Sequence, residues 1–302
     1  MLRLDELQKN FQGKLALNEM MSKHTSFCIG GPADLYAEPN DKNDLLALLS
    51  FLQEQNISFT ILGNGSNVLI SDDGIRGVVI NLESGLNKIS FENNFIDVES
   101  GVMLNRFVDF CIQRELKGVE MLAGIPGTIG GAIRMNAGAH GGEISDCIID
   151  VEIIRENKFQ TISKEEAQFQ YRSSGLKKDD VVVSARFQLP MGNKEDMMYI
   201  RKEMLKKRNA TQPLDLPNSG SVFKNPKPLF AAKLIEECGL KGKQIGNAQI
   251  SEKHANFIVN LGNAKANDVL GLMKLAKKTV MEKFGIMLEL EVQLLGFQEN
   301  LK

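Results

Sequence analysis

The sequence predicts an α+β protein of more than one domain, and three observations lead there. Short β-rich runs bounded by Gly, Asn or Asp dominate residues 20–190. Amphipathic helical patterns punctuate them. The chain then changes character at "NATQPLDLPNSGS", whose prolines and polar residues mark a domain boundary. At 302 residues the chain is long enough for two or three domains.

In order, "SFTILG", "VLIS", "GVVINL", "FIDVESG", "CIIDVEIIRE", "KFQTIS" and "DDVVVSARFQL" read as strands. "DKNDLLALLSFLQEQN" reads as a helix with an acidic first turn, stopped at Asn56. Ser163 and Glu166 form a capping-box pattern that opens a helix at "SKEEAQF". A charged helix is predicted from Lys194 to Arg208, another near Pro228 to Cys238, and a long one from Ala266 to Phe284, stopped by Gly285. "GNAQIS" and "NFIVNL" are strand-like. The last strand, "MLELEVQLLG", alternates: Leu288, Leu290, Val292 and Leu294 on one face, Glu289, Glu291 and Gln293 on the other.

Composition excludes several classes. The chain is 43% apolar and 25% charged with a formal net charge of −2, which argues against a nucleic-acid surface. No apolar stretch spans a membrane and the charged N-terminus lacks a signal-peptide core, so a cytoplasmic protein is expected. The four cysteines and three histidines are scattered without metal-ligand spacing; no metal is expected, and the thiols read as buried and reduced.

Two glycine loops carry the functional signal. "GNGSN" (Gly63, Asn64, Gly65, Ser66, Asn67) follows a strand, but Val68 stands where a dinucleotide fingerprint needs its third glycine, and no crossover helix follows. Its backbone N–H groups, with the Ser66 and Asn67 side chains, offer an anion nest instead. "GIPGTIGGAIRMNAGAHGG" packs seven glycines into residues 124–142 with Ile and Met between them, unlike a polar linker, so something must approach this backbone closely. No phosphate-binding P-loop motif is present. Together the two loops suggest a large cofactor containing a pyrophosphate.

"LGNGSNVLIS", "GIPGTIGGAIRMNAGAHGGE", "YRSS", "GSVFKNP" and "ISEKHANFIVN", in this order, closely resemble the UDP-N-acetylenolpyruvoylglucosamine reductases, the MurB flavoenzyme family. The resemblance implies an FAD-binding domain of the vanillyl-alcohol-oxidase type built from two α+β subdomains, residues 1–83 and 84–208, and an α+β substrate domain, 209–302. It implies noncovalent FAD, NADPH as hydride donor, a nucleotide-sugar substrate, and neither nucleic acid nor membrane as partner. Cofactor contacts fall on Gly63, Asn64, Gly65, Ser66 and Asn67, and on Gly124, Pro126, Gly127, Thr128, Gly130, Gly131, Ala132, Asn136 and Gly138. By family position Arg172 binds and polarises the substrate carboxylate, a task for a planar cation. Ser221 protonates the carbanionic carbon, and Glu291 is the catalytic glutamate, which periodicity alone does not separate from Glu289. Lys224 and Asn225 fall at contacts to the diphosphate. His254 and Asn256 read equally as structural and stay outside the site.

Two departures from the family pattern stand out. Gln293 replaces an arginine found in many members. The short span from Arg172 to Ser221 resembles a compact subclass without the inserted substrate loop and its tyrosine, a contact Gln212 is placed to replace in part. The alternative is an FAD oxidase or dehydrogenase acting on another alcohol or carbohydrate, which in many members bonds flavin to a histidine; His140 is the only histidine in the second loop. A nucleotide-sugar-binding protein without activity would not need a proton donor beside Arg172 and Glu291.

Overall fold

The computed structural model describes residues 4–139 and 141–297. In chain order the elements are α1 (Leu4–Asn10), β1 (Lys14–Met20), β2 (Pro32–Glu38), α2 (Lys42–Glu54), β3 (Phe59–Leu62), β4 (Val68–Ile70), β5 (Ile75–Asn81), β6 (Ile89–Glu92) and β7 (Phe95–Glu99). There follow α3 (Leu104–Gln113), α4 (Ile129–Arg134), β8 (Gly138–Ala139), β9 (Gly142–Glu143), β10 (Ile148–Arg155), β11 (Lys158–Ser163), β12 (Val181–Phe187) and α5 (Lys194–Thr211). The chain ends with α6 (Ala231–Glu237), β13 (Gln244–Ile245), β14 (Ala248–Ile250), β15 (Ile258–Asn260), α7 (Ala266–Phe284) and β16 (Gln293–Leu295).

Two compact units result. The first holds the residues up to Leu17, Leu35–Asn64 and Gly77–Lys206; the second holds Asn18–Asp34, Gly65–Arg76 and the chain from Lys207. The division falls within the "GNGSN" loop, so Gly63 and Asn64 belong to the first unit and Gly65, Ser66 and Asn67 to the second.

In the first unit an antiparallel sheet of order β11-β10-β12-β7-β6 lies beside α3 and α4. Val98, Phe107, Ile133, Val151, Ile153 and Phe187 make its core. The pairing of β10 with β12 slips between Glu152↔Ser184 and Ile153↔Val182, leaving Val183 as an extra residue. Such a bulge shifts the alternation by one, which is why Val182 and Ala185 share one core while Val181 and Val183 join another. That second core lies under α2, whose Leu45, Leu48, Leu49 and Leu52 recur at helical spacing. Asp41 caps α2 by accepting from the Asn43 and Asp44 amides at 2.8 and 2.9 Å, and Asn56 takes φ +52° just beyond its end.

In the second unit β13, β14 and β15 form an antiparallel sheet, and β16 runs parallel to β4. The α7 stripe of Val269, Leu270, Met273 and Val280 is buried against Leu234, Ile235, Phe27 and Leu69. Asp72 closes the start of α7 from a distant loop, accepting from Ala266 N at 2.9 Å and Asn267 N at 3.2 Å. Gly285, at φ +68°, closes the other end.

Several local expectations change. The Ser163–Glu166 box forms, with bonds of 2.7 and 3.2 Å, but opens only a single turn, because Gln168 adopts φ +44° and Gly175 N takes the Ala167 carbonyl. The helix placed near Pro228 begins at Ala231, after a turn in which Leu229 N bonds to Pro226 O. The final strand keeps its alternation of burial but is regular only over Gln293–Leu295, since the segment changes neighbours along its length. Glu291 N first reaches Val222 O, and Gln293 N then reaches Asn67 O. Strands β1, β2 and β6 and helices α1 and α3 were not anticipated, although Leu104, Phe107, Val108, Cys111 and Ile112 recur at helical spacing in α3. Among the described residues no helix is long and apolar enough to cross a membrane, and no cluster of three His, Cys, Asp or Glu is arranged to hold a metal.

Candidate active site

The first unit contains a cavity of about 110 Å³ lined by Gly63, Ser100, Thr128, Gly130, Gly131 and Arg134 among others. Each wall has a local cause. Thr128 caps α4, its hydroxyl accepting from Gly131 N at 3.4 Å. Gly130 N bonds to Ser100 O at 2.8 Å, and Ser100 N bonds to the bulged Val183 O at 2.8 Å, so the bulge in β12 sets where Ser100 stands. The Ser100 hydroxyl is buried without a hydrogen-bond partner. Nothing in the strand "FIDVESG" had singled it out.

The glycines divide by what presses on them. A Cβ on Gly63 would lie 2.5 Å from Thr128 Oγ1, on Gly65 2.1 Å from the His24 carbonyl oxygen, and on Gly130 3.0 Å from Ser100 Cβ. These three make room for the protein's own chain. Gly131 differs: its nearest neighbour would be 3.6 Å away, it is exposed, and it lines the cavity. FAD is the group the sequence implies, and the open Gly131 and the orphan Ser100 hydroxyl fit it.

Further along the loop, Gly124 and Gly127 have φ +85° and +133°, Pro126 is exposed, and Ala132 is buried. Asn136 is buried, and its amide donates to Glu143 Oε2 at 2.6 Å and to Gln170 O at 3.0 Å while accepting from Ser145 N. Gln170 and Ser173 exchange backbone bonds, which puts Arg172 at the tip of a tight turn with φ +57°. Its guanidinium donates to the Gly138 carbonyl at 2.6 Å and lies over the Tyr171 ring. Loop and turn are thus one hydrogen-bonded piece. His140 lies outside the described residues.

The second unit brings Ser221 and Glu291 onto one backbone framework. Gly220, at φ +77°, has its amide held by Asn218 Oδ1 at 2.9 Å and turns the chain into Ser221. The next residue, Val222, accepts Glu291 N at 2.9 Å, and Lys224 N reaches Glu289 O at 2.9 Å. Glu291 O accepts from the side-chain amides of Asn67 at 3.2 Å and Gln293 at 3.3 Å. Glu289, by contrast, is exposed and pairs with Lys224 at 3.8 Å, so the half-buried carboxylate is Glu291.

Two expected substrate contacts have local bonds. Asn225 Oδ1 accepts the amide of Ala231, the first residue of α6, at 3.0 Å; Gln212 Oε1 accepts from Arg208 at 3.0 Å. Asn256, set aside in the sequence, is buried and bonds to both backbone groups of Phe223. Burial holds the neighbouring His254 below the usual histidine range, and its Nδ1 accepts the Asn256 amide at 3.3 Å, so the ring is neutral.

Residues 33–157 match a family described as an FAD binding domain, and residues 212–295 match the C-terminal domain of UDP-N-acetylenolpyruvoylglucosamine reductase. The UDP-N-acetylenolpyruvoylglucosamine reductase of Chloroherpeton thalassium is 45% identical over 311 residues, covering 100% of both chains. That of Caldanaerobacter subterraneus subsp. tengcongensis is 46% identical over 296 residues, covering 97% of each. The crystal structure of the reductase (MurB) from Thermus caldophilus matches 94% of this chain and 99% of its own, with a TM-score of 0.81 and 34% identity. A berberine bridge enzyme variant, 15% identical with a TM-score of 0.50 over 63% of this chain and 43% of its own, shares the fold alone. The α+β FAD-binding fold of the vanillyl-alcohol-oxidase type is therefore present, and the chain belongs to the UDP-N-acetylenolpyruvoylglucosamine reductase (MurB) family.

Proposed function

We propose that this chain catalyses the NADPH-dependent, FAD-mediated reduction of UDP-N-acetylglucosamine enolpyruvate to UDP-N-acetylmuramate. The reaction takes place in the cytoplasm, in peptidoglycan precursor synthesis, and through it serves cell-wall formation, cell shape and division. Its direct partner is the small nucleotide sugar. When bound, FAD carries the hydride from NADPH to the enolpyruvyl double bond. Gly63, Ser100, Thr128 and Gly131 would hold part of it, with the remaining loop residues Asn64, Gly65, Ser66, Asn67, Gly124, Pro126, Gly127, Gly130, Ala132, Asn136 and Gly138 around it.

The chain's own residues do the rest. Arg172 binds the substrate carboxylate and stabilises charge as the adjoining carbon becomes enolate-like. Ser221 delivers the proton to that carbon; a hydroxyl is a weak acid, and only a strongly basic carbon takes its proton. Glu291 completes the group, with Lys224, Asn225 and Gln212 reading the rest of the substrate. The carrying observation is that Ser221 and the half-buried Glu291 are joined through one backbone bond, Glu291 N to Val222 O at 2.9 Å. The division into 1–83, 84–208 and 209–302 is supported by the sheets, since β1, β2, β3 and β5 fall in the first part, β6, β7, β10, β11 and β12 in the second. The test is anaerobic titration of the purified protein with NADPH, followed by UDP-N-acetylglucosamine enolpyruvate. Bleaching and then recovery of the flavin absorbance are expected; reduced flavin that the substrate leaves unchanged would reject the reading.

A further inference from the structure

We infer that Asn256 is a positioning residue for Ser221 and Glu291, holding both through the two residues between Ser221 and Lys224. The inference rests on the function proposed above and extends it to a buried side chain whose bonds go to the Phe223 backbone. Asn256 stands in the turn between β14 and β15 and is 3% exposed. Its Oδ1 accepts Phe223 N at 3.0 Å, its Nδ2 donates to Phe223 O at 2.8 Å, and its own carbonyl accepts Val222 N at 2.8 Å. One asparagine thus supplies what a neighbouring strand would: a donor and an acceptor aimed at one residue, and a further acceptor for the residue before it.

The other edge of the same dipeptide is taken by the chain around Glu291. Val222 O accepts Glu291 N, Phe223 bridges to Leu290, and Lys224 N bonds to Glu289 O. Residues 222 and 223 are therefore gripped from both sides. Ser221 is attached covalently at one end, and Glu291 hangs on the Val222 carbonyl. Among short polar side chains only an amide offers both halves of the grip on Phe223; a carboxylate lacks the donor, and a hydroxyl is too short to span N–H and C=O at once. Asn256 is in turn oriented by His254, whose neutral Nδ1 takes the Asn256 amide. A displacement of about 1 Å in a reacting group can cost on the order of 10²-fold in rate. Loosening this grip acts on two groups together.

The experiment compares Asn256→Asp and Asn256→Ala with the wild type in the flavin-loaded protein. Asn256→Asp keeps the size and the acceptor for Phe223 N but sets an oxygen against the Phe223 carbonyl, whereas Asn256→Ala removes both bonds without burying a charge; where one variant does not fold, the other carries the test. Three quantities are read: flavin reduction by NADPH, reoxidation by UDP-N-acetylglucosamine enolpyruvate, and hydrogen exchange at the Val222, Phe223 and Glu291 amides. Reduction within about twofold of wild type is expected, because that half-reaction needs no proton from Ser221. Reoxidation slows by at least about 10-fold in Asn256→Asp and approaches about 10²-fold in Asn256→Ala, with faster exchange at all three amides. Unchanged reoxidation overturns the inference, and so does an equal slowing of both half-reactions with loss of flavin, which marks a purely structural role. If the wild-type flavin is not reoxidised by the substrate, the functional reading fails instead. The exchange data then decide the grip: amides no faster in Asn256→Asp reject it.

Discussion

Ser221 is bounded on both sides by fixed backbone: Gly220 is held by Asn218, and Val222 by Asn256 and Glu291. Removing its hydroxyl therefore leaves the framework in place. Ser221→Ala should keep its flavin and be reduced by NADPH at the wild-type rate, while stopped-flow reoxidation by the enolpyruvyl substrate slows by about 10²–10⁴-fold, the range of a general acid. Slowing of less than about tenfold would leave the serine a turn residue. Among the glycines the outcome depends on the neighbour. Gly131→Val projects into the cavity, where no atom outside its own helix backbone lies nearer to its Cβ than 3.6 Å, so FAD affinity should fall while urea unfolding of the apoprotein stays near wild type. Gly130→Val presses on Ser100 Cβ at 3.0 Å, and stability should fall with affinity. Fluorescence titration with FAD and unfolding curves of both variants separate the two cases. This distinction was invisible in the sequence, where all seven glycines of residues 124–142 look alike. Arg172, Ser221 and Glu291 are picked out in the sequence by ordered motifs. Ser100 and Asn256 stand out by burial and backbone contacts alone, which a motif does not record.

At the scale of elements, Asp180 ties together the pieces that carry the cavity. Its carboxylate, 2% exposed, accepts two bonds from Arg155 at 2.8 and 2.7 Å and one from Lys177 N at 2.7 Å. Its carbonyl accepts from Arg134 at 2.6 Å, and Arg134, the last residue of α4, also reaches the Leu176, Lys177 and Lys178 carbonyls. Burial works to raise the Asp180 pKa, but the Arg155 hydrogen bonds, the Lys177 amide and the charges of Arg155 and Arg134 outweigh it, leaving the group below 3.8. A depressed carboxylate contributes stability above its unfolded pKa and loses it as pH falls through the folded one. Asp180→Asn should therefore destabilise the protein at neutral pH and flatten the acid limb of its stability profile. The cost lies below the ~3–5 kcal/mol of a broken fully buried pair, because the Arg155 side chain keeps 24% of its exposure. Urea unfolding at neutral pH and again below the carboxylate range checks both parts. The helices α2, α5 and α7 were legible from period and caps. The Ser163–Glu166 box was legible as a motif and misleading as a helix, since one turn without following periodicity gains too little to extend.

For the molecule as a whole, the two units draw on separate stretches of chain, and the second takes Phe27, Ile29 and Leu69 into a core made mainly of residues after Lys207. The proline-rich segment at residues 209–221 marks a change in the sequence, but no local pattern tells that two early segments belong with the late ones. That information is carried by pairing at long range, such as Asn260 Nδ2 to Phe27 O at 3.0 Å and β16 alongside β4. A fragment of residues 1–206 should accordingly bind a hydrophobic dye and aggregate, whereas the full chain stays monodisperse in light scattering. A soluble, cooperatively unfolding fragment would refute this.

The parallel pairing of β16 with β4 also imposes an order on biosynthesis. As the chain leaves the ribosome, most of the first unit is complete before the last strand exists, while Leu69 in β4 must wait for residues near Leu294. Domains made in one continuous stretch close as they emerge. This second unit has instead to keep two early, partly apolar segments uncommitted through the translation of most of the chain, so its assembly is completed only when synthesis is nearly over, and a stalled ribosome would hold those segments bare.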